Sequence, residues 1–293
     1  MYKNLNPESL GIAGRQSELI ELTMTYGFRG LDVDGAELIK RASLLGVEEA
    51  TRYLKSANIK VGGFRLPVNI AADEDIFKSD LEKLGGLASL AKQVGFKYCE
   101  VILDPASEAL PYHENFERHR DRLAKSADLL AKFEIRLGVG FKAASSHRQG
   151  RPFQFIHQAE ELLMLLKTTG SANLGLALDT WNWRLGGGDK DQMVDLKGPQ
   201  VVSVRIADVP LDVDSSTVTD SQRLLPTEET VAEHAALLKT LAERNFDGPV
   251  TLYPHGSQLP QISRDACTSK CAACLEKIWS TAGLTKSGRL ATP

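Results

Sequence analysis

The feature that most constrains the fold is a regular alternation of short apolar segments with longer segments of helical periodicity. Eight apolar segments can be counted along the 293 residues, and each is followed by a segment with helical spacing of apolar residues. Consecutive parallel strands need such crossovers, so the alternation predicts an α/β protein with a parallel sheet. We predict a single (β/α)8 TIM barrel over residues 1–283 and a disordered tail over residues 284–293.

The predicted strands are rich in apolar residues and end near Gly, Pro or a charged residue. In chain order they are SLGIAG (9–14), GLDVD (30–34), IKVGGF (59–64), KYCEVIL (97–103), IRLGVGF (135–141), LGLALD (174–179), VVSVRIAD (201–208) and GPVTLY (248–253). A short helix near Gln192 is predicted after the sixth strand. The alternative is a doubly wound open sheet, but no predicted strand leads into a G-x-G-x-x-G turn.

Composition excludes several classes of protein. The chain is 42% hydrophobic and 25% charged, with a formal net charge of -3, which describes a globular protein without a basic surface for nucleic acid. No segment has the apolar length needed to span a bilayer, and the first residues lack a signal-peptide pattern. Four cysteines are too few for a disulfide framework. We therefore expect a cytoplasmic protein without nucleic-acid or membrane partners; a homo-oligomer is allowed.

The sixth strand is the most informative stretch of the sequence. Residues 174–178 are all Leu, Gly or Ala, which indicates a strand that is covered on both faces, and the run ends in Asp179. Parallel strands present chemistry at their carboxyl ends, so Asp179 is expected to face a pocket. The structural alternative is that Asp179 only caps the turn that follows.

Polar side chains occupy the carboxyl ends of most of the predicted strands. Because these ends meet at one rim of a barrel, the side chains are expected to surround a small polar ligand. The candidates at the strand ends are Asp32, Asp34, Arg65, Asp104, Lys142, Asp179, Asn182, Arg205, Asp208, Tyr253 and His255.

Several of these segments resemble motifs of the xylose-isomerase-like barrels, a family that includes sugar phosphate isomerases and epimerases. The resemblance covers nearly the whole chain and rests on GFRGLDV (27–33), RLGVGF (136–141), LALDTWNW (176–183) with RLGGG (184–188), VVSVRIADVP (201–210), RLLP (223–226) and FDGPVTLYP (246–254). It implies a barrel with a sugar-type ligand at its mouth and isomerase or epimerase chemistry in carbohydrate metabolism.

The sequence departs from the metal-binding pattern of that family. Members generally hold a divalent metal with Glu, Asp, His and Glu from strands five to eight, and the matching positions here are Gly140, Asp179, Arg205 and Tyr253. The family's strand-six His is Asn182. A guanidinium repels a cation, so we expect no metal and no cofactor. We predict instead that Arg205 occupies the volume of the ion and pairs with Asp179, with room provided by Gly140.

Two hypotheses for function follow. The first is a metal-independent isomerase or epimerase acting on a sugar or sugar acid, with Lys142, Tyr253 or His255 as proton carriers. The second is a catalytically inactive barrel that binds a related ligand or serves as a regulator or scaffold. In both, the predicted ligand-binding residues are Asp32, Arg65, Asp179, Asn182, Arg205, Asp208 and Arg223.

The three cysteines near the carboxyl terminus allow two interpretations. Cys267, Cys271 and Cys274 have the C-x3-C-x2-C spacing of radical SAM iron–sulfur sites, but they lie in the last helical segment and not near the start of a barrel. Spacings of four and three place them on one helical face together with Ile278. We therefore favour small residues packed against the barrel over a cluster site.

Overall fold

The protein is described from a computed structural model that covers residues 1–189, 192, 200–211, 213–214, 216–259 and 263–291. Its strands are β1 (Tyr2–Leu5), β2 (Gly30–Leu31), β3 (Lys60–Val61), β4 (Phe64–Arg65), β5 (Tyr98–Leu103), β6 (Ala106–Ser107), β7 (Arg136–Phe141), β8 (Phe153–Gln154), β9 (Leu174–Asp179), β10 (Val201–Ile206) and β11 (Pro249–Leu252).

Helices lie between the strands of the main sheet. They are α1 (Gln16–Thr25), α2 (Gly35–Leu45), α3 (Val47–Ser56), α4 (Glu74–Val94), α5 (Tyr112–Ala131), α6 (Ala159–Thr169), α7 (Thr180–Leu185), α8 (Val231–Glu243) and α9 (Arg264–Thr281). Short 3-10 turns at Ser145–His147, Asp220–Gln222 and Gly256–Gln258 lie in loops that follow strands.

The main sheet is parallel and closes on itself. Its strand order is β3-β2-β1-β11-β10-β9-β7-β5-β4, and only Gly62 and Gly63 separate the two end segments β3 and β4 in the chain. When β3 and β4 are counted as one interrupted strand, the described strands form the predicted (β/α)8 barrel. The short strands β6 and β8 form a separate antiparallel pair.

The interruption between β3 and β4 is explained by two close approaches. A Cβ atom on Gly62 would lie 1.9 Å from Asp32 Oδ1, and one on Gly63 would lie 2.2 Å from the ring of Tyr98. Neither position can carry a side chain without displacing a neighbour. The glycine pair therefore gives the side chains of Asp32 and Tyr98 their places beside the interrupted strand.

The sixth predicted strand is confirmed as β9, with the predicted boundaries. Residues 174–178 are all buried, as expected for a strand between the barrel interior and a helical layer. The chain then turns directly into α7, which buries the side chains of Trp181 and Trp183 completely. The sequence predicted polar groups and a glycine turn at this point but not a helix.

The prediction of the first strand is wrong. The segment 9–14 forms a turn and a loop, whereas β1 lies at the amino terminus and pairs with β11 and β2. Its sequence YKNL is short and half polar, so it gives no apolar run, yet Asn4 is only 1% exposed. Helix α2 was not predicted. The helix predicted near Gln192 lies almost wholly outside the described residues.

The carboxyl-terminal tail is ordered over residues 284–291, in contrast to the disorder expected for residues 284–293. Leu284 pairs with Leu290, and Trp279 Nε1 donates to Thr285 O at 2.8 Å. The amino group of Met1 donates to Gly288 O at 3.3 Å, which ties the two ends of the described chain together. Within the described ranges, no helix is long and apolar enough to cross a lipid bilayer.

Candidate active site

Two cavities open at the carboxyl ends of the barrel strands. The mouth cavity has a volume of about 1190 Å³, and its wall includes Lys142, His147, Asn182, Arg223 and His255. The side cavity has a volume of about 1250 Å³, and its wall includes Asn6, Asp32, Tyr98, Ser203 and Thr251. Both cavities are also lined by Glu8, Ile12, Arg65, Glu100, Arg205 and Tyr253, so they meet at these residues.

Asp179 lies at the end of β9, as predicted, but both oxygens of its carboxylate are already bonded to protein groups. Oδ1 accepts the backbone N–H groups of Trp181 and Asn182 at 3.1 Å each, which caps α7. Arg223 Nη1 lies 3.0 Å from Oδ1 and 2.8 Å from Oδ2. The sequence allowed Asp179 either to face a pocket or to cap the turn that follows. The structure shows both, because Asp179 caps α7 and also lines the mouth cavity.

The guanidinium of Arg223 contacts two carboxylates and an aromatic ring. Its guanidinium lies over the ring of Trp181, with the carbon 4.3 Å from the ring centroid, and Nε and Nη2 each lie 3.3 Å from Asp220 Oδ1. The side chain of Arg223 is only 7% exposed. Such a buried and multiply bonded guanidinium fixes Asp179 in place and has little freedom to follow a ligand.

Arg205 lies on β10, in register beside Asp179, but it turns toward β5. Its Nη2 donates to Glu100 Oε2, and its guanidinium carbon lies 4.8 Å from the centroid of the Tyr253 ring. Burial alone would lower the pKa of Arg205, but Glu100 and the nearby Tyr253, Asp179 and Asp32 raise it above the ordinary value. Arg205 is therefore a permanent cation at the junction of the two cavities.

The predicted pair between Arg205 and Asp179 is therefore wrong. The two residues are neighbours in the sheet register. However, Asp179 forms its ion pair with Arg223, and Arg205 forms its ion pair with Glu100. Gly140 also does not make room for Arg205. A Cβ atom there would lie 2.7 Å from Ile102 Cδ1, so Ile102 fills the space beside Gly140.

The three predicted proton carriers all line the mouth cavity but differ in suitability. Lys142 is half-buried and has no ion-pair or hydrogen-bond partner for its amine among the described residues. Burial raises the pKa of Tyr253, so its hydroxyl stays protonated at neutral pH and acts as a donor. His255 is exposed, and its Nδ1 accepts the backbone N–H of Ser257 at 3.2 Å. Of the three, Lys142 is the half-buried residue whose polar group is not engaged by another described residue.

Asp32 directly follows β2 and lines the side cavity. Asn4 Nδ2 lies 2.9 Å from its Oδ1, and Asn6 Nδ2 lies 2.7 Å from its Oδ2. Burial raises the pKa of Asp32; the two asparagine hydrogen bonds and Arg205 oppose this effect, and Glu100 adds to it. Asp32 is thus a half-buried carboxylate oriented by amides, with no ion-pair partner among the described residues.

Of the other predicted ligand-binding residues, Arg65 and Asn182 line a cavity and Asp208 does not. Arg65 is exposed and lines both cavities, and Asn182 lines the mouth with its Oδ1 occupied by the backbone N–H of Ala143 at 3.0 Å. The Nδ2 amide is the remaining hydrogen-bonding group of the Asn182 side chain. Asp208 lines neither of the two cavities. Its carboxylate accepts the hydroxyl of Thr230 and lies 2.7 Å from His234 Nε2, and its role in ligand binding stays a prediction.

Glu100 is the residue of the site that sequence reasoning missed. It is 8% exposed, lies in the middle of β5, and accepts the hydroxyl of Ser203 as well as Arg205. The residue predicted from this strand was Asp104, at the carboxyl end. Asp104 lies outside both cavities, and its Oδ1 accepts a hydrogen bond from Arg151 Nη1 at 2.8 Å. The sequence did contain a signal for Glu100, because it is a charged residue inside an apolar run. A carboxylate buried in a strand requires a partner, so such a residue indicates a polar or charged group nearby.

The cysteine prediction agrees with the packing of α9. Cys267, Cys271 and Ile278 are buried, and Cys274 is half-buried on the same helix. Cys267 also borders the mouth cavity. Its pKa is lowered by a hydrogen bond with the Cys271 thiol.

The side chains at the mouth do not fit a catalytic divalent cation. Among the described residues, no three His, Cys, Asp or Glu side chains lie where they could share a metal ion. The family's metal-binding positions carry a glycine, a carboxylate that Arg223 already holds, a guanidinium and a tyrosine. These side chains therefore do not supply a ligand set for a divalent ion at the mouth.

Comparison with known proteins identifies the family. The profile of the xylose isomerase-like TIM barrel family matches residues 20–270, which is most of the chain. The chain belongs to this family. The expectation drawn from the sequence motifs is thereby confirmed at the level of family and fold. A search of curated proteins by sequence gave no match.

Solved structures show the same fold at low identity. A xylose isomerase domain protein from Alicyclobacillus acidocaldarius has a TM-score of 0.83 and 21% identity over 96% of this chain and 98% of its own. The IOLI protein with a bound zinc atom has a TM-score of 0.75 and 16% identity over 97% and 98%. D-psicose 3-epimerase from Clostridium cellulolyticum H10 has a TM-score of 0.74 and 14% identity over 96% and 99%.

Proposed function

We propose that this protein is an isomerase- or epimerase-like member of its family that binds a sugar-type ligand without a divalent metal. The observation that carries the proposal is the position of Arg205, a fixed cation at the junction of the two cavities. Its Nη2 is used by Glu100, and its Nε and Nη1 have no acceptor among the described residues. These donors can hold a carbonyl or hydroxyl oxygen of a ligand.

The surrounding groups suit a polyhydroxylated molecule. Lys142, Arg65 and the Asn182 amide supply donors, Glu8 supplies an acceptor, and the Tyr253 ring supplies a flat apolar wall. Sugars are recognised by this mixture of polar groups and flat apolar surface. The cations and carboxylates that line the cavities nearly balance in charge, so neutral sugars and sugar acids are both included in the ligand class.

Arg205 also supports proton transfer next to a carbonyl group. A guanidinium that hydrogen-bonds the carbonyl oxygen stabilises the negative charge that develops there when a neighbouring carbon loses its proton. Isomerisation and epimerisation of a sugar both begin with this step. In the proposed reaction Arg205 takes the electrostatic role, and Lys142 carries a proton at the mouth.

A second candidate is a binding protein without catalysis. It is favoured by the engagement of three carboxylates near the mouth, since Asp179 and Asp220 are bonded to Arg223, and Glu100 is bonded to Arg205. A barrel of this kind would bind the ligand through the same donors but would lack a base.

A thermal-shift screen tests ligand binding and separates it from metal binding. The panel contains D-psicose, D-fructose, D-tagatose, their 6-phosphates and keto sugar acids, each with EDTA and with Mn²⁺. We expect at least one member to raise the Tm equally in both conditions. A panel with no stabilising member, or stabilisation only with Mn²⁺, would refute the proposed function.

A further inference from the structure

The proposed reaction requires a base that can reach the carbon next to the carbonyl group. Most inward-facing carboxylates of the barrel are unsuitable, because Arg223 holds Asp179 and Asp220, and Arg205 holds Glu100. Asp32 differs from all three, since its described partners are two neutral amides. The geometry points to Asp32 as the catalytic base of this site, an inference that rests on the proposed function.

The carboxylate of Asp32 is held in one orientation. Asn6 Nδ2 bonds Oδ2 at 2.7 Å, and Asn4 Nδ2 bonds Oδ1 at 2.9 Å while also lying 3.0 Å from Thr251 Oγ1. Gly62 packs against Oδ1. One lone pair of each oxygen is taken by an asparagine, so the second lone pair of Oδ2 remains for a ligand in the side cavity.

The surroundings of Asp32 match the needs of a general base. The groups that act on its titration are Asn4 and Asn6 from the β1 side, Arg205 from β10 and Glu100 from β5. Burial raises the pKa values of the nearby Tyr2 and Tyr98, and the Asp32 carboxylate adds to this effect. Because burial raises the pKa of Asp32, the carboxylate binds a proton more strongly than an exposed Asp does.

Asp32 and Lys142 lie on nearly opposite sides of the barrel. Asp32 follows β2 and Lys142 follows β7, and the interrupted strand β3/β4 and β5 lie between them in the sheet. They are thus three strands apart in a barrel of eight, where the opposite strand is four away. Arg205 and Tyr253 line both cavities between them. A ligand bound to Arg205 and extending into both cavities would therefore have Asp32 on its side-cavity side and Lys142 on its mouth side.

The step balances without an external oxidant or metal. Asp32 takes the proton from the carbon next to the carbonyl group, and the C–H electron pair forms a C=C bond. The carbonyl π pair moves to oxygen, where Arg205 stabilises the charge. Lys142 then returns a proton to the carbon from the opposite face while the C=O bond reforms. Exchange of protons with solvent restores both groups.

Exchange of carbon-bound hydrogen tests this role directly. The wild type, Asp32→Asn and the control Asp104→Asn are each incubated in D2O with the ketose or keto acid that gives the largest thermal shift. Proton NMR follows loss of the signal from the hydrogen next to the carbonyl group. Asp104 is a suitable control because it is a carboxylate at a strand end that lies outside both cavities and pairs with Arg151.

We expect Asp32→Asn to slow the exchange by about 10²–10⁴-fold while keeping the ligand-induced thermal shift, and Asp104→Asn to exchange like the wild type. Retention of the substrate-induced shift separates a catalytic role from a loss of structure. Wild-type-like exchange in Asp32→Asn would overturn the inference and leave the proposed function standing. Absence of exchange in the wild type with every stabilising ligand would overturn both and favour the binding protein.

Discussion

Arg223 and Asp179 form a buried ion pair in which one guanidinium nitrogen lies 3.0 Å and 2.8 Å from the two carboxylate oxygens. The same carboxylate caps α7, and the same guanidinium contacts Asp220. The carboxylate that the sequence motif assigns to a metal is thus an anchor between β9 and the loop that carries Arg223. The pair therefore leaves Asp179 already bonded to a protein cation at a position where the sequence motif places a metal ligand.

The first prediction concerns the stability of this pair. Arg223→Met leaves Asp179 buried without its cation, and we expect a loss of about 3–5 kcal/mol in the free energy of unfolding. Asp179→Asn with Arg223→Met should recover part of this loss, because Asn keeps an acceptor for the α7 cap but carries no charge. Urea unfolding of both variants measures the difference.

Arg184→Met is the matched control for this experiment, since Arg184 lies on the exposed face of α7. We expect its effect to stay within about 0.5 kcal/mol. A double variant that is no more stable than Arg223→Met would show that the carboxylate is not stranded by loss of the arginine.

The second prediction concerns metal content. Purified protein should contain no stoichiometric Mn, Mg or Zn, and EDTA should change neither its Tm nor ligand binding, because the only carboxylate at the family's four metal-binding positions is already bonded to Arg223. Elemental analysis of protein grown with added Mn²⁺ and Zn²⁺ makes the measurement. About one ion per chain, lost together with Asp179→Asn, would contradict it.

Much of the barrel could be predicted because its central strands are long apolar runs. The segment of β9 has no polar residue before Asp179, so its position and its carboxyl end follow from the sequence alone. Strand β1 could not be recognised in the same way. It is four residues long, and Asn4 points its polar side chain into the barrel, which removes the apolar signal.

The pairing of charges could not be predicted from the order of the strands. Register placed Arg205 beside Asp179, but a long side chain can cross the barrel interior, and Arg205 pairs with Glu100 on β5, three strands away in the sheet. Arg223 lies beyond any strand, on a loop whose path the sequence does not reveal. Listing only the residues at strand ends also excluded Glu100, which lies two residues into the six-residue β5.

The third prediction tests the glycine between β3 and β4. Gly62→Ala should destabilise the protein by about 1–3 kcal/mol, because the new methyl group would lie 1.9 Å from Asp32 Oδ1 and must displace that carboxylate. Thermal or urea unfolding measures the loss. Loss of proton exchange in the same variant is also expected, since the orientation of Asp32 is disturbed.

Gly86→Ala provides the opposite case. Gly86 lies within α4, and a Cβ atom there has no contact within 4 Å. This change should therefore stabilise the protein by about 0.5–1 kcal/mol through helix propensity. Equal effects of the two substitutions would refute the close contact at Gly62.

The fourth prediction concerns the pH dependence of stability. The raised pKa of Asp32 means that the folded protein binds this proton more tightly than the unfolded chain does. The resulting stability is complete below the unfolded pKa of about 3.9 and is lost as the pH rises through the folded pKa. Relative to Asp32→Asn, the wild type should therefore lose stability as the pH rises from about 4 toward neutrality.

Asp208 gives a control of opposite sign. Burial would raise its pKa, but hydrogen bonds from His234 and Thr230 lower it overall. The stability that the Asp208 carboxylate contributes is present at a pH above the pKa that this group has in the unfolded chain. It is lost as the pH falls through the lower pKa of the folded protein. Unfolding curves of the wild type and both variants are measured at each pH. As the pH rises, the wild type should lose stability relative to Asp32→Asn and gain stability relative to Asp208→Asn. A pH-independent difference for Asp32→Asn would contradict its raised pKa.

The most direct test of the account is calorimetric titration of the best ligand from the thermal-shift panel into wild type and Arg205→Met, each with EDTA and with Mn²⁺. We predict the same Kd for the wild type in both conditions and a loss of at least about tenfold in Arg205→Met, the effect of removing about 1.4 kcal/mol of binding free energy. Binding by the wild type that requires Mn²⁺, or unchanged affinity in Arg205→Met, would contradict the claim that a guanidinium takes the role of the metal.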